Sequence, residues 1–530
     1  MGKRLNNIVD TVSNKRLWAS VLCGASLVFA YAPFSLWWLT LLVLPCWIYY
    51  VNYQVTQSTT PVKTATQHGF GFGFGWFGTG ISWVHVSIAE FGGVPLVVSI
   101  ALMILLCLYL ALFPAAALYA TAKISDKLKR PTLWWLLAPT WLLAEYLRSV
   151  FLTGFPWLSL GYSQMDSPLS ILAPIIGEIG ITFVITIFAV SLFYLSHKKV
   201  KLASAALSSI LILIILGYNA TWVTDTGKTT RIALVQGNIE QSIKWQPDQQ
   251  WPTMLKYLDL SRVNYDADII VWPESAVASI ETLSTTQEFL DVANRSAALN
   301  NTAIITGIIN YYFETERYFN ALIVLGKKHA EDDEAAYYYN NKNRYYKNHL
   351  LPIGEFVPFG DLLRPLAPLF NLPMSSFTRG DYVQNNLLAN GIRLLPLICF
   401  EIAFPAQLSA NFTNQTNILL TVSNDAWFGN SHGPHQHMEI ARMRSLEFGR
   451  PLVRSTNTGV TAMTNQYGEI VEILPQFEQG VIKADLPLVS GLTPYARWGD
   501  LPTYIFALLL TLTIIFTTIC KNKKHLNSNS

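Results

Sequence analysis

The sequence has few charged residues for its length. Only 13% of the 530 residues are Asp, Glu, Lys or Arg, and the formal net charge is +3. Nucleic-acid binding requires basic residues clustered on a polar face, whereas the basic residues here lie mostly in short loops between apolar segments. The composition therefore excludes a nucleic-acid partner, and a hydrophobic content of 51% favours a membrane protein.

Cysteine is also scarce. Of the five cysteines, only Cys399 lies in the polar region that runs from about residue 229 to residue 500. The others lie within or at the end of apolar runs, at Cys23, Cys46, Cys107 and Cys520. Cys399 thus lacks a plausible disulfide partner in its own region, and the thiol is either a small buried hydrophobic group or a reactive one.

Long apolar segments predict membrane-spanning helices. Crossing the hydrocarbon core takes about 17–25 apolar residues, whereas helices of soluble proteins average about 11–12. Such segments lie near residues 17–33, 34–51, 69–89, 94–121, 133–151, 169–196, 202–219 and 501–520. The pattern predicts about eight spans.

The basic loops predict the orientation of these spans. Basic clusters precede the first segment and follow the second, fourth, sixth and eighth, so all of them fall on one side, which the positive-inside rule makes cytoplasmic. The polar region between the seventh and eighth segments is then expected in a bacterial periplasm. The predicted domains are a bundle of seven spans (1–222), a periplasmic domain (223–498), and the last span with a cytoplasmic tail (499–530).

The fifth segment contains two charged residues. Glu145 and Arg148 are three positions apart and therefore share one face of a helix. Charges within the membrane are usually paired and functional, but a structural pair near the outer interface is an equally reasonable interpretation.

The polar region contains short apolar stretches typical of strands that are buried on both faces. They lie at residues 231–235, 269–272, 303–307, 394–398 and 418–422. Strands of this kind that alternate with helical patterns predict a layered α/β domain.

Three residues of this region have complementary chemistry. Cys399 closes an apolar strand, where a turn can expose the thiol and direct backbone N–H groups at a bound carbonyl. Glu274 also follows an apolar strand and is a candidate base for the thiol proton. The ammonium of Lys347 can favour the thiolate and stabilise an oxyanion. Each residue alone is more often structural or solvated, but together they indicate acyl transfer by an activated cysteine.

The motifs around these residues carry a family resemblance. Trp272-Pro273-Glu274, the Lys347 segment and Ile398-Cys399-Phe400-Glu401 resemble the Glu-Lys-Cys triad of the nitrilase, or carbon–nitrogen hydrolase, superfamily. With the surrounding apolar segments, nearly the whole chain resembles the apolipoprotein N-acyltransferase family. Further matching stretches lie at 235–239 with Trp245, 372–377, 423–429 and 491–497.

The resemblance implies an αββα sandwich on the outer side of the bacterial inner membrane. It makes Glu274 the general base, Cys399 the nucleophile and Lys347 the stabiliser of the oxyanion. Glu355 would support the site, and Glu401 would help to position the residues around Cys399.

The resemblance also implies residues that contact the substrate, and it contains one departure. The substrate-binding candidates are Trp157, Trp245, Asn424, Trp427 and Phe428, although bulky aromatic residues are core residues by default. The family often has Tyr after the cysteine, whereas this chain has Phe400, which lacks the hydroxyl group.

The implied reaction has two lipid substrates. An acyl chain would pass from a phospholipid to Cys399 and then to the amino-terminal amine of a diacylated apolipoprotein, at the membrane and in a monomer. A membrane-anchored amidohydrolase would use the same residues with water as the acceptor. A transporter or scaffold whose outer domain only binds a ligand is the third alternative.

No cofactor or metal is expected. His432, His435 and His437 cluster near a Gly-Pro turn, but no cysteine or convincing set of acidic ligands accompanies them. A polar loop or the start of a helix is the preferred interpretation of this cluster.

Overall fold

A computed structural model describes residues 15–352, 354–356 and 377–528. The chain divides into two compact units. The helical unit comprises the described residues of Met1–His85, Leu96–Ala220 and Trp498–Ser530, and the α/β unit comprises Val86–Pro95 and Thr221–Arg497. Two residues of the first basic cluster, Lys3 and Arg4, and residues 372–376 of the stretch 372–377 lie outside the described residues.

Each predicted apolar segment overlaps a helix of the helical unit. The principal helices are Lys15–Ser26, Trp38–Thr56, Pro61–Gly80, Leu96–Lys127, Leu137–Val150, Ala173–Ser196, Val200–Tyr218 and Leu501–Ser528. Among the described residues, four helical stretches are long and apolar enough to cross a membrane: Leu96–Lys127, Pro168–Ser196, Val200–Tyr218 and Leu501–Lys523. Several apolar helices are therefore present, and the count of eight spans stays a prediction.

Three of the remaining four helices fall short of that criterion for identifiable reasons. Lys15–Ser26 has only 12 residues. Leu137–Val150 has 14 residues and includes the buried pair Glu145 and Arg148. The predicted bounds of the third segment, 69–89, were wrong, because the helix runs from Pro61 to Gly80 and its first two turns are polar.

The α/β unit contains two six-stranded sheets. The first has the order β12-β1-β2-β3-β4-β5, and the second has the order β11-β10-β9-β8-β7-β6. The strands are β1 Val223–Gln236, β2 Ile269–Val271, β3 Ala303–Tyr312, β4 Arg317–Gly326, β5 Arg344–Tyr346, β6 Leu387–Ala389, β7 Ile392–Ile398, β8 Ile418–Ser423, β9 Leu452–Thr456, β10 Thr461–Thr464, β11 Ile470–Leu474 and β12 Gly480–Gly491. All five predicted strands are confirmed.

Parallel strands form the centre of each sheet. β1, β2 and β3 are parallel, as are β7, β8 and β9, and the flanking strands pair antiparallel to them. The carboxyl ends of parallel strands lie at one edge of a sheet, where α/β proteins usually bind their ligands.

The two sheets pack face to face, and helices cover the outer faces. Along β1, Ile232 and Leu234 lie in the core between the sheets, whereas Ala233 and Val235 pack against the helices Pro247–Arg262 and Ser284–Leu299. The helices Pro405–Asn411 and Gly433–Phe448 pack against the second sheet. Burial on both faces explains why these strands are almost wholly apolar. The unit is the expected αββα sandwich.

Candidate active site

Cys399 lies in a sharp turn at the carboxyl end of β7. It begins the 3-10 helix Cys399–Ala403 and has a φ of +54°, which is uncommon for any residue other than glycine. The side chain is half-buried. Burial and the nearby Glu274 raise the pKa of the thiol to about 12, while the positive charge of Lys347 acts in the opposite direction. The resting nucleophile is therefore a neutral thiol that needs a base.

Lys347 follows β5 and is buried between two carboxylates. Its Nζ lies 3.4 Å from Oε1 of Glu274 and 2.8 Å from Oε2 of Glu355. Burial lowers the pKa of Lys347, but the two carboxylates outweigh burial and raise it above its ordinary value. Lys347 is thus a fixed ammonium, whose electrostatic effect reaches Cys399.

Glu274 follows β2 and is held by donors from three other parts of the unit. Its Oε1 accepts hydrogen bonds from Nδ2 of Asn320 at 2.8 Å and from Lys347. Its Oε2 accepts one from the backbone N–H of Asn424 at 2.9 Å. These contacts fix the orientation of the carboxylate, whose charge acts on the thiol of Cys399.

Glu355 supports both of its neighbours. It accepts hydrogen bonds from Lys347, from Asn320 at 3.0 Å and from the backbone N–H of Leu351 at 2.8 Å. Lys347 and Asn320 therefore each bridge Glu274 and Glu355. The two carboxylates form one network with the ammonium.

Glu401 joins the turn at Cys399 to the segment after Lys347. It is completely buried and accepts five hydrogen bonds of 2.7–3.0 Å, from the backbone N–H groups of Asn348, His349 and Ile398 and from the side chains of Tyr345 and Gln407. Burial raises the pKa of Glu401, whereas these donors favour its carboxylate form. A carboxylate with only donors around it fixes both segments.

Three substrate-binding candidates of the α/β unit differ in burial and in their contacts. Trp245 is partly exposed, and Nζ of Lys244 lies 5.8 Å from its ring centroid. Asn424 is buried and holds Glu274. The backbone carbonyl of Trp427 accepts a hydrogen bond from Ser87 in the segment Val86–Pro95.

The remaining candidates are buried aromatic residues. The Phe428 ring packs 5.7 Å from the His437 ring, and Phe400 packs against His349 and Phe404. Trp157 lies in the helical unit, where it packs against Trp83 and Phe155. Substrate contact by the five aromatic and polar candidates stays a prediction, as does a supporting role for Phe400.

Sequence reasoning missed two sets of buried residues. The first is Lys244 alone, which donates a hydrogen bond of 3.3 Å to the backbone carbonyl of Glu274. Burial lowers the pKa of Lys244 to about 8. The second set connects Ser423, Asp425, His437 and Arg454. No signal of spacing identifies either set, because the partners are far apart in the chain.

The described residues contain no group of three or more His, Cys, Asp or Glu side chains arranged to hold a metal ion. Of the three clustered histidines, His437 turns away from solvent and is completely buried in the helix Gly433–Phe448. Its ring nitrogens contact Asp425, Arg454 and the backbone carbonyl of Cys399.

Two family models match most of the chain. Residues 23–191 match the apolipoprotein N-acyltransferase N-terminal domain, and residues 231–491 match carbon-nitrogen hydrolase. The second match includes Glu274, Lys347 and Cys399. Among solved structures, the chain resembles a carbon-nitrogen hydrolase from Helicobacter pylori (13% identity, TM-score 0.36, covering 49% of this chain and 89% of that one). It also resembles a nitrilase-superfamily amidase from Nesterenkonia (15% identity, TM-score 0.35, covering 51% of this chain and 95% of that one).

Curated relatives match over almost their whole length. The chain is 50% identical over 513 residues to the apolipoprotein N-acyltransferase of Shewanella oneidensis, which covers 94% of this chain and 95% of that protein. It is 46% identical over 509 residues to that of Photobacterium profundum, with 94% of this chain and 95% of that protein covered. It is 36% identical over 517 residues to that of Haemophilus influenzae, with 96% of each protein covered. Identity at this level over both units shows that the chain belongs to the apolipoprotein N-acyltransferase family.

Proposed function

We propose that this protein is an N-acyltransferase that moves a fatty acyl chain from a phospholipid to the amino-terminal amine of a diacylated lipoprotein, through a thioester on Cys399. The observation that carries the proposal is the buried ammonium of Lys347, which is held between Glu274 and Glu355 and acts electrostatically on the thiol. A base, a cation and a nucleophile in one network are the requirements of covalent acyl transfer.

In the first step Glu274 accepts the proton of the Cys399 thiol, and the sulfur attacks the ester carbonyl carbon of the phospholipid. The carbonyl electrons move to oxygen, and the resulting oxyanion is stabilised by the ammonium of Lys347. The ester C–O bond then breaks. The departing alkoxide takes the proton back from Glu274 and leaves as a lysophospholipid, and the acyl chain remains on sulfur.

In the second step the amine of the lipoprotein attacks the thioester carbonyl. Glu274 accepts a proton from the attacking nitrogen, and the same oxyanion position is used again. The C–S bond breaks, an amide forms, and the sulfur regains its proton from Glu274. One carboxylate therefore serves as base and acid in both steps.

The helical unit fits substrates that stay in the membrane. Each methylene of an acyl chain gains about 0.8 kcal/mol when it is buried in lipid, so a site beside the bilayer avoids moving whole chains into water. The proposal includes eight spans, location in a bacterial inner membrane, an α/β unit in the periplasm, and action as a monomer. The asymmetric basic loops support this orientation.

Intact-mass measurement of the purified protein after incubation with one defined phospholipid tests the proposal. We expect a mass increase equal to one fatty acyl group, equimolar release of lysophospholipid, and loss of the added mass when a diacylated lipopeptide amine is supplied. Cys399→Ser should give no adduct labile to hydroxylamine. Cys46→Ser is the matched control, because Cys46 is an exposed cysteine of the helix Trp38–Thr56 and should leave the adduct unchanged.

Other outcomes identify the competing functions. Release of free fatty acid at the same rate with and without the lipopeptide would indicate a hydrolase, in which water is the acceptor. A wild-type protein that remains unmodified in phospholipid, together with full activity of Cys399→Ser, would contradict the enzymatic function and favour a binding protein.

A further inference from the structure

A network of buried polar residues contacts the backbone of Cys399. It plays no part in the proton transfers to and from Glu274. It consists of Ser423 and Asp425 at the end of β8, Arg454 in β9 and His437 in the helix Gly433–Phe448. All four side chains are almost completely buried. Because unpaired buried polar groups are costly, a network in this position needs a structural or functional explanation.

The network ends on the backbone of the nucleophile. Nε2 of His437 lies 3.1 Å from the carbonyl oxygen of Cys399. A carbonyl oxygen can only accept a hydrogen bond, so Nε2 carries a proton and donates it to this contact. Cys399 itself has the left-handed φ of +54°, which a residue with a side chain holds only when the surroundings stabilise it.

The other ring nitrogen identifies the tautomer. Nδ1 of His437 lies 3.0 Å from Nη2 of Arg454 and 3.3 Å from Oδ1 of Asp425. A guanidinium group can only donate, so the shorter contact requires a lone pair on Nδ1. The longer contact with Asp425 then joins two acceptors and is not a hydrogen bond, so Asp425 acts on the ring through Arg454. Burial and the charge of Arg454 lower the pKa of His437, in agreement with a neutral ring.

Asp425 and Arg454 hold this arrangement. Oδ2 of Asp425 accepts a hydrogen bond of 2.6 Å from Nη2 of Arg454, and Oδ1 accepts one of 2.6 Å from the hydroxyl group of Ser423. The Asp425 and Arg454 charges compensate each other, so the pair can orient a neutral imidazole without leaving an unpaired buried charge.

We propose that His437 is a positioning residue for the nucleophile. As the neutral tautomer with its proton on Nε2, oriented by Arg454 and Asp425, it donates to the carbonyl of Cys399 and holds the left-handed turn that directs the thiol at the acyl carbon. This role rests on the proposed function, because it concerns the step in which the thioester forms.

Two amide variants separate the ring nitrogens. In His437→Gln the amide nitrogen can reach the position of Nε2, whereas in His437→Asn the shorter side chain reaches only the position of Nδ1. Both replacements are polar and smaller than histidine, and asparagine leaves the larger space because it is one methylene shorter than glutamine. The variants differ mainly in whether a donor reaches Cys399.

Rapid-quench measurement of thioester formation, at several phospholipid concentrations, provides the test. We expect His437→Asn to lower the maximal rate by about 10- to 100-fold, the loss typical of one hydrogen bond to a constrained group, with no change in the phospholipid concentration at half-maximal rate. His437→Gln should recover most of the rate. Thermal unfolding of both variants checks that each is folded at the assay temperature.

Each other outcome decides against the positioning role. Wild-type rates in His437→Asn, or equal losses in both variants, would overturn it. Loss of folded protein in either variant would assign His437 to the stability of the fold and would overturn it as well. Absence of any acyl adduct in the wild-type protein would instead contradict the proposed function, and the wild-type arm of the same experiment reports that result.

Discussion

At the scale of single residues, the thiol of Cys399 is subject to opposing influences. Burial and Glu274 raise its pKa to about 12, and the ammonium of Lys347 lowers it. The balance keeps the sulfur protonated at neutral pH, so the thiolate forms only when Glu274 accepts the proton. A protonated thiol is less reactive towards oxidants than a free thiolate, which protects an enzyme whose nucleophile has no disulfide partner.

Removal of the base should separate reactivity from catalysis. Glu274→Gln deletes a negative charge beside the thiol, so the thiolate becomes less unfavourable, the pKa of Cys399 falls, and more thiolate is present at any given pH. We expect iodoacetamide to alkylate Cys399 faster in Glu274→Gln than in wild type between pH 7 and pH 9, because the pH profile shifts to lower values. Formation of the thioester from phospholipid should nevertheless be lost.

The control for this prediction is Glu331→Gln, which removes a charge of the same sign from an exposed loop. Its alkylation profile should match that of the wild type. Slower alkylation in Glu274→Gln would show that Glu274 activates the resting thiol by a route other than proton acceptance during attack.

The residues that were predicted and those that were missed differ in one respect. Glu274 and Cys399 each follow a short apolar strand, and this local pattern places them at strand ends. Asp425 and His437 acquire their roles only from contacts with Arg454 and with each other, which the sequence does not display. Likewise, the burial of Lys244 arises from packing against residues distant in the chain.

At the scale of elements, Glu401 connects two segments that are distant in the chain. It accepts hydrogen bonds from Ile398, which precedes the nucleophile, and from Asn348 and His349, which follow Lys347. One buried carboxylate therefore helps to hold the segment of the thiol beside the segment of the ammonium. Because five donors surround the Glu401 side chain, a side chain with N–H groups of its own would face donors instead of acceptors.

Glu401→Gln should disturb both segments. The glutamine side chain has an NH2 group where Glu401 has an oxygen atom. The two N–H bonds face surrounding N–H and O–H groups, so at least one buried donor loses its acceptor. We expect the free energy of unfolding to fall by about 1–3 kcal/mol and thioester formation to slow. Chemical denaturation and rapid-quench kinetics on the same preparation measure the two effects, and unchanged values for both would contradict the role of Glu401.

A second contact between elements positions Glu274. Gly307 of β3 packs against the turn after β2, and a Cβ atom at this position would lie 2.3 Å from the backbone N of Ser275 and 2.8 Å from Cα of Glu274. Because these are backbone atoms, they cannot move aside without shifting the base. The glycine is therefore needed for the close approach of β3.

Gly307→Ala should reduce activity through this displacement. A misplacement of about 1 Å can cost about 100-fold in rate, so we expect thioester formation to fall by roughly that factor. Gly78→Ala is the control, since nothing lies within 4 Å of a Cβ atom at Gly78. Equal rates in the two variants would mean that the turn at Glu274 adapts to the added methyl group.

The elements themselves were predicted unevenly. The central strands were predicted because burial on both faces makes them continuous apolar runs. Helix bounds in the helical unit were less accurate where polar residues belong to the helix, as in Pro61–Gly80, whose first turns contain Lys63 and Gln67. Hydropathy records the apolar part of a helix, whereas backbone hydrogen bonds define its ends.

At the scale of the whole molecule, the chain alternates between the two units. The segment Val86–Pro95 belongs to the α/β unit, although it lies between the helices Pro61–Gly80 and Leu96–Lys127 of the helical unit. Ser87 in this segment donates to the carbonyl of Trp427. The α/β unit is therefore completed by residues that precede most of the helical unit, and hydropathy alone assigned part of this segment to a span.

The orientation of the chain can be tested with cysteines introduced one at a time into a background in which all five natural cysteines are replaced by serine. Lys129→Cys lies after the helix Leu96–Lys127, Tyr338→Cys lies on the α/β unit, and Lys521→Cys lies near the end of the helix Leu501–Ser528; all three positions are exposed. If eight helices span the membrane, Tyr338 faces the periplasm, and Lys129 and Lys521 face the cytoplasm. A membrane-impermeant maleimide should then label Tyr338→Cys in intact spheroplasts and the other two only after lysis.

The short helix Leu137–Val150 gives this experiment its discriminating power. Three predicted spans separate Lys129 from the α/β unit, and this helix is the shortest of the three, with 14 residues and a buried Glu145–Arg148 pair. If it fails to cross, Lys129 and Tyr338 lie on the same side, and both cysteines react in intact spheroplasts or neither does. Opposite labelling requires an odd number of crossings between them. It would therefore favour a helix that crosses despite its length, with its charged pair satisfied inside the protein.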